Sequence, residues 1–496
     1  MEFKSLVKNT SYLAVARMAQ FGAGLITTKI SAILLGTVGV GIVNQLNFLT
    51  QKMSQLSTLS MTEAVVKQIA ENKDSKNAAE LIKSSLKSYI LLVSAFMVLS
   101  ITILFFFASS ITNDVFGDLI YLPYFFIGLF TFPLLVINSI PFALLKGFRN
   151  IKIISRARIG IVFVNLFVAL PLIYFFRLDG AIAFVPISFL INLIFHYFYA
   201  QKLYFLKYNI SIRSIFSAPF NSSFVKELFL FSGFGLTIGT YAIVSEFACR
   251  SIVVSRLGVD QIGLYSPIIM WGSIFTGFLL PSLSTYLYPR FCELKTKREI
   301  SGLMNDALRL GSFMIVPLLF IGIPYRKFII SIFYSKEFIN AAIYLPFHFL
   351  GIAFYVWWFV FSQAMTPTGR IKQYGVFQLF FYSINILVTY FFVKDFGLWG
   401  WMLKHIISPF IFFWIYSIYA NKYMGFKLLH KNFNLMSYIL ISSFLLIVID
   451  SFLSIGYLLI LIIGPLLLIG TIFFLEQSEK RFILEKIKIY IAKIFK

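Results

Sequence analysis

Apolar runs follow one another along the whole chain, each closed by a short polar or charged stretch. A run of roughly 18 residues or more can cross a hydrocarbon core about 30 Å thick as a helix. Strands of a membrane barrel would alternate in polarity, which these runs do not do. The pattern predicts an all-α integral membrane protein with about fourteen transmembrane helices, over residues 9–35, 42–70, 86–108, 119–145, 159–176, 180–199, 227–255, 262–289, 305–324, 341–366, 373–393, 397–419, 434–450 and 457–475.

The second predicted helix, residues 42–70, is the most polar of the set. It carries Asn44, Asn47, Gln51 and Gln55 among other polar residues. Unpaired polar groups cost several kcal/mol in hydrocarbon, so this helix must face protein or water. We expect these four amides to line a polar cavity.

Composition agrees with lipid as the main solvent. Of 496 residues, 59% are hydrophobic and only 13% are charged, whereas soluble domains carry about 25%. The two cysteines, Cys249 and Cys292, are too few for a disulfide framework or a metal cluster. The first apolar run has no convincing cleavage site, so we expect it to remain as the first span.

The loop charges predict the orientation, because loops that stay in the cytoplasm collect Lys and Arg. Most of the basic residues fall in alternate loops that share a side with both termini, which places both termini in the cytoplasm. The net charge of +23 is thus mainly an inner-face feature that meets anionic membrane lipids, and we expect no nucleic acid partner. The opposite loops carry only Arg177, Arg256, Arg326, Lys327, Lys336 and Lys394.

An internal repeat divides the chain. LGTVGVGI at 35–42 aligns with LGVDQIGL at 257–264, which places Gly41 over Gly263. We predict an N-lobe over 1–208 (helices 1–6), a C-lobe over 209–424 (helices 7–12), and helices 13–14 over 425–476. With six helices each, the lobes would be related by a parallel pseudo-twofold axis around a central cavity. For residues 477–496 we predict a basic amphipathic helix that forms a cytoplasmic tail, and a disordered tail is the alternative.

Cationic residues inside the predicted helices are candidates for function, because burying a charge in a membrane is costly. Arg17, with no partner on its own helix, is the first candidate for binding an anion. Lys52 and Arg250 would face the same cavity. Lys29 and Lys404 are weaker candidates, since a lysine near a span end can reach the headgroups instead.

Two acidic residues lie four positions before a cation on the same predicted helix. Glu63 precedes Lys67, and Glu246 precedes Arg250. Each pair can neutralise itself on one helix face. Glu63 and Glu246 are also the candidates for carrying a coupled ion. His405 is interpreted as polar lining of the cavity rather than as a proton relay.

No catalytic arrangement is evident in the sequence. The glycines of GTVGVG at 36–41 join two predicted membrane helices and do not form a dinucleotide fingerprint. Histidines at metal-ligand spacing and a phosphate-binding loop are absent from the sequence. We expect a transporter rather than an enzyme, without a cofactor or a metal.

Surplus positive charge in a membrane cavity suits a cargo that carries a diphosphate, because phosphate oxygens bind guanidinium and ammonium groups. Neutral amides at the same depth would hydrogen-bond sugar hydroxyls. Another anionic amphiphile would fit the same lining.

Residues 33–74, ILLGTVGVGIVNQLNFLTQKMSQLSTLSMTEAVVKQIAENKD, resemble the corresponding region of Wzx-type O-antigen flippases of the MATE-like MOP superfamily. The resemblance implies a flippase that moves undecaprenyl-diphosphate-linked oligosaccharide from the inner to the outer leaflet of the bacterial inner membrane by alternating access. Cationic residues would hold the head group, a role that falls on Arg17 and Lys52 and then on Arg250 and Lys404. Other glycan assembly proteins are candidate partners.

Two rival functions stay open. A cation-coupled multidrug exporter of the same fold would need an acidic central cavity, which the excess of cations disfavours. A membrane glycan polymerase or ligase would need a sizeable outer loop with catalytic groups, whereas the predicted outer loops are short.

Overall fold

A computed structural model of the protein describes the backbone of residues 2–58, 61–452, 456–477 and 479–481. Within these residues the fold is helical, without a β-strand. The helices are α1 (Glu2–Thr58), α2 (Met61–Asn72), α3 (Ala78–Phe106), α4 (Ala108–Phe116), α5 (Leu122–Gly147), α6 (Ile151–Ala200), α7 (Ile212–Ser217), α8 (Ser222–Leu257), α9 (Val259–Leu264), α10 (Ser266–Glu293), α11 (Lys297–Phe320), α12 (Gly322–Phe333), α13 (Leu345–Met365), α14 (Ile371–Phe396), α15 (Leu398–Met424), α16 (His430–Phe452) and α17 (Gly456–Gly470).

Eleven helical segments among the described residues are long and apolar enough to cross a membrane. Two of them, belonging to α1 and α6, each cover two of the predicted spans, and Leu458–Phe474 forms a shorter apolar helix. The prediction of an all-α integral membrane protein is confirmed. Residues 482–496 of the predicted basic tail lie outside the described part of the chain.

The described residues fall into two compact units. The first takes those of Met1–Ser266 with Ser331–Ile339 and Gln378–Trp401. The second takes those of Pro267–Ile330, Asn340–Phe377 and Met402–Lys496. In the first unit, α2, α3 and α5 bury an apolar cluster that includes Val65, Leu86 and Leu144. This packing fixes the helices that carry the polar residues described below.

Helix α1 bends at Gly36, where the sequence predicts a loop of glycines. Gly36 adopts a φ of 62°, a left-handed conformation that glycine reaches without steric cost. The loop is therefore reduced to a kink, and helical structure resumes after it. Within the range of the second predicted helix, α1 ends at Thr58 and α2 begins at Met61.

Helix α6 reverses at Arg177, which adopts a φ of 51° and a ψ of −124°. A non-glycine residue rarely adopts this conformation. The two arms of α6 then lie side by side: a Cβ added at Gly180 would stand 1.9 Å from the carbonyl oxygen of Leu172, and one at Gly160 would stand 2.5 Å from the ring of Phe195. The reversal brings residues from both arms into one site.

Helices α1 and α9 approach closely through reciprocal contacts. A Cβ added at Gly41 would stand 2.3 Å from the carbonyl oxygen of Val259, and one at Gly263 would stand 1.7 Å from that of Thr37. Nearby, the Asn44 Nδ2 atom donates to Ser266 Oγ at 2.5 Å. Each of these residues of α1 therefore contacts either its counterpart in the predicted repeat or a residue close to that counterpart.

Candidate functional site

A polar cavity of about 580 Å³ lies inside the first unit, between α1, α5 and both arms of α6. Its volume falls within the range of about 300–1,000 Å³ that is usual for small-molecule sites. Nine polar side chains contribute to its lining, namely Gln20, Thr27, Thr28, Asn138, Arg158, Asn165, Ser188, Asn192 and His196.

The charge in this cavity is positive. Arg158, on the first arm of α6, is half-buried and is the one cation among the described lining residues, which include no carboxylate. Arg17, exposed on α1, is close enough to act electrostatically on Arg158. These two guanidinium groups repel each other because their charges are alike. An anion placed between them would be stabilised by both.

His196 and Asn138 add a hydrogen-bonded pair of polar side chains to the lining of the same cavity. The His196 Nδ1 atom lies 2.8 Å from Asn138 Oδ1, and the ring packs against Phe142 with centroids 5.1 Å apart. Asn165 Oδ1 is buried without a hydrogen-bond partner. A buried acceptor of this kind is costly unless a ligand or water reaches it.

A second cavity of about 220 Å³ adjoins the first within the same unit. The two share Thr27, Thr28, Phe184 and Ser188 in their linings. The second adds polar groups without a charged side chain among its described lining residues: Ser31, Asn44, Asn47, Ser266 and Tyr334. The two cavities thus share a wall that includes three hydroxyl groups, and the larger cavity alone carries a cation among its described lining residues.

The predicted cationic residues are dispersed through the structure. The Lys29 ammonium donates to the carbonyl oxygens of Ser331 and Tyr334 at 2.7 and 2.5 Å. Lys52 is partly exposed and lies 3.5 Å from Gln55 Oε1. These lysines do not line the 580 Å³ cavity.

Arg250 is held by several groups of the first unit. Its Nε donates to Glu246 Oε1 at 3.0 Å, and its Nη1 donates to Gln45 Oε1 at 2.8 Å. The guanidinium also lies 4.3 Å from the centroid of the Phe48 ring. These contacts hold the Arg250 guanidinium in place within the first unit.

Lys404 lies in the second unit, where it is only 3% exposed. It is close enough to act electrostatically on the rings of His348 and His405. His405 lines a separate cavity of the second unit.

The amides predicted to bind sugar divide into two groups. Asn44 and Asn47 line the 220 Å³ cavity. Gln51 is exposed, and Gln55 borders a crevice of only about 10 Å³ beside Gly235.

The two acidic candidates both have partners. Glu63 pairs with Lys146 of α5, and Lys67 lies 3.8 Å from Glu71. Glu246 pairs with Arg250, as their spacing predicts.

Arg158 was not among the predicted site residues, because the predicted fifth helix begins at residue 159 and leaves Arg158 in the preceding loop. Asn138, Asn165 and Asn192 were not predicted either, although they are polar residues inside apolar runs. Three amides on neighbouring spans were the signal that could have located this cavity.

A protein family described as "Polysaccharide biosynthesis protein" matches residues 6–295, more than half of the chain. The chain belongs to the polysaccharide biosynthesis protein family. This membership agrees with the expected resemblance to flippases of surface polysaccharides.

Two relatives whose names describe a function match most of this chain. A protein of Shigella flexneri named "Putative O-antigen transporter" is 22% identical over 73% of this chain and 87% of its own length. The "Lipid III flippase" of Escherichia coli (strain K12) is 19% identical over 82% of this chain and 96% of its own length. The prediction of a transporter rather than an enzyme is confirmed.

The fold also matches a solved structure, "Lipid II flippase MurJ, inward closed conformation". The TM-score is 0.69 at 15% identity, covering 93% of this chain and 98% of that chain. The chain therefore shares the fold of this solved structure, and the eleven apolar helical segments among its described residues make it a multi-pass membrane protein.

Proposed function

We propose that this protein is a flippase that moves polyprenyl-diphosphate-linked oligosaccharide, of the O-antigen repeat-unit type, from the inner to the outer leaflet of the cytoplasmic membrane. Family membership and the names of both relatives support a cargo of lipid-linked glycan. Such a cargo needs a protein, because its sugars and phosphates cannot cross hydrocarbon without partners for their polar groups.

The observation that carries this proposal is Arg158 in a cavity of neutral amides, without a carboxylate in the described lining. Arg158 and Arg17 would bind the diphosphate oxygens through charge-assisted hydrogen bonds. Asn138, Asn165 and Asn192 would exchange hydrogen bonds with sugar hydroxyls, replacing the water that the head group loses. The polyprenyl chain would remain in the surrounding lipid.

Alternating access is the mechanism that we propose for this movement. The inverse contacts of Gly41 with Val259 and of Gly263 with Thr37 support two repeated lobes about a twofold axis. Rocking of such lobes would expose the two polar cavities to each leaflet in turn. Both termini would lie in the cytoplasm.

A multidrug exporter is the main alternative. Exporters of cationic drugs need a site that favours positive charge, whereas Arg158 and the nearby Arg17 would repel it. Resistance to a cationic dye such as ethidium, conferred by the wild-type chain and retained or increased in Arg158→Gln, would favour the exporter.

The decisive experiment replaces Arg158 by Gln in cells that depend on this chain for surface glycan. We expect lipid-linked repeat units to accumulate on the inner leaflet and surface glycan to fall at least tenfold. Arg158→Lys should retain part of the activity because it keeps the charge.

Arg156→Gln is the matched control, since Arg156 is an exposed cation two positions earlier on the same helix and does not line the cavity. Normal surface glycan in a stably expressed Arg158→Gln variant would remove this residue from the mechanism.

A further inference from the structure

His348 of α13 is an unusual residue within the second unit. Its side chain is only 7% exposed, and neither ring nitrogen has a hydrogen-bond partner. Buried polar atoms are nearly always paired in folded proteins, because an unpaired one loses its interaction with water for nothing in return. The position of this ring therefore needs an explanation other than stability.

The ring faces a cavity of about 220 Å³ in the second unit. Ser273, Thr276, Tyr355 and His405 contribute polar groups to the lining, and the rest is mainly apolar. Since a water molecule occupies about 30 Å³ in the liquid, the space can hold several. Water and hydroxyl groups can pass a proton to an imidazole nitrogen or accept a hydrogen bond from it.

Imidazole is suited to this exchange, because its unperturbed protonation equilibrium lies closest to neutral pH among the side chains. The two carboxylates that the sequence offered for ion coupling are engaged elsewhere, Glu63 with Lys146 and Glu246 with Arg250. His348, by contrast, has both ring nitrogens available to a proton or its carrier.

The charged and titratable neighbours limit the site to a single proton. The His405 ring lies edge-to-face with His348, with centroids 5.1 Å apart. Lys404 acts on both rings, and Tyr355 is the other titratable group of the lining. The described lining residues of α10 bring hydroxyl groups and no charge. A second positive charge in the histidine pair would be opposed by the first and by Lys404.

Both histidines lie where helices cross at a glycine. A Cβ added at Gly272 of α10 would stand 2.1 Å from the His348 Nε2 atom, and one at Gly351 of α13 would stand 1.8 Å from the His405 carbonyl oxygen. A proton on His348 needs a hydrogen-bond acceptor, which the helix backbone at Gly272 does not supply. The charged ring would turn toward the hydroxyl groups, and the contact between α10 and α13 would change.

We propose that His348, with His405 beside it, is a proton-binding site that links protonation to the packing of α10 against α13. The proton adds to a free imidazole nitrogen from water in the cavity and returns to water when the helices repack. The proposal is independent of the cargo, so it stands or falls separately from the flippase assignment.

The first test follows the protonation of each histidine in the full-length protein. The chain has four histidines, so ¹³C-histidine labelling in lipid nanodiscs gives four ring signals, which single His→Gln variants assign. We expect the His348 signal to titrate between pH 7 and 3, and His348→Gln to shift the titration of His405. The exposed His430 supplies the matched control, His430→Gln, which should leave both titrations unchanged.

The second test reads the helices. Hydrogen exchange at pH 7 and pH 3, corrected for the intrinsic rate, should change in α10 and α13 of the wild type and of His430→Gln but not in His348→Gln. If His348→Gln does not fold, Gly272→Ala serves instead, since its methyl group displaces the ring and should alter the His348 titration while leaving that of His430 unchanged. A His348 signal that stays constant from pH 7 to 3 would overturn the proposal, as would identical exchange at both pH values in the wild type.

Discussion

Gly41 and Gly263 lie back to back, so that a Cβ on either would stand 3.1 Å from the backbone nitrogen of the other. The same interval in sequence, 222 positions, separates the hydrogen-bonded Asn44 and Ser266. The two glycines permit this approach of α1 and α9, because a side chain at either position would overlap the backbone of the other helix.

Gly41→Ala should destabilise the protein, because the added methyl group would overlap the carbonyl oxygen of Val259. Overpacking of this kind costs about 1–3 kcal/mol. The measurement is the melting temperature in detergent, compared with Gly22→Ala, where an added Cβ meets no atom within 4 Å. Equal melting temperatures of Gly41→Ala and Gly22→Ala would show that α1 and α9 can move apart at this contact without a loss of stability.

Replacing Arg250 alone should lower the free energy of unfolding more than replacing both Arg250 and Glu246. Arg250 is 9% exposed, and Arg250→Met leaves both Glu246 and Gln45 Oε1 without this donor. Because Glu246 is partly exposed, we expect a loss at the lower end of the range for buried pairs, about 3 kcal/mol. Chemical unfolding should show partial recovery in Arg250→Met with Glu246→Leu. A double variant less stable than the single one would contradict this account.

The pair of Arg326 and Asp450 should be essential to the second unit. Arg326 is 2% exposed, binds Asp450, and donates to the carbonyl oxygens of Ile323 and Ala342 at 2.7 and 3.0 Å. Asp450→Asn leaves a buried guanidinium without its counter-charge, which costs about 3–5 kcal/mol. Thermal unfolding should show this loss, whereas the exposed Asp395→Asn should melt as the wild type.

Acid should weaken the attachment of Glu479 to the second unit. Two hydrogen bonds from Arg309, at 2.7 Å each, lower the pKa of the Glu479 carboxyl below its usual 4.5. A carboxyl with a lowered pKa adds stability above its unfolded pKa and loses it as the pH falls through the folded value.

The melting temperature should therefore decline below about pH 4.5 more steeply in the wild type than in Glu479→Gln. The exposed Glu293→Gln should keep the wild-type slope. Parallel curves for the wild type and Glu479→Gln would show that the pair contributes nothing.

The sequence predicted the helices well because a membrane span is a local property of composition. Its errors arose where tertiary structure decides. Gly36 looked like part of a loop, but a single left-handed residue is enough to redirect α1. Glu63 contacts Lys146, which is 83 positions away in sequence and which no local pattern could reveal.

The candidate site was predicted only in part. Asn44 and Asn47 were expected to face a polar cavity, and they line one. Arg158 was missed because a charge at the end of an apolar run looks like the edge of a loop, and only the folded arms of α6 show that it lines a cavity. Helical periodicity also does not reveal that Lys29 donates to two carbonyl groups at the end of α12, those of Ser331 in its last turn and of Tyr334 just after it.

Thr27, Thr28 and Ser188 belong to the linings of both cavities in the first unit. A head group that travels from one cavity to the other would release its contacts with these hydroxyl groups last and would meet them first. The head group would then lose its water in many small steps, and each sugar or phosphate group would keep a hydrogen-bond partner throughout. The energy barrier to this movement would depend on the spacing of these three side chains.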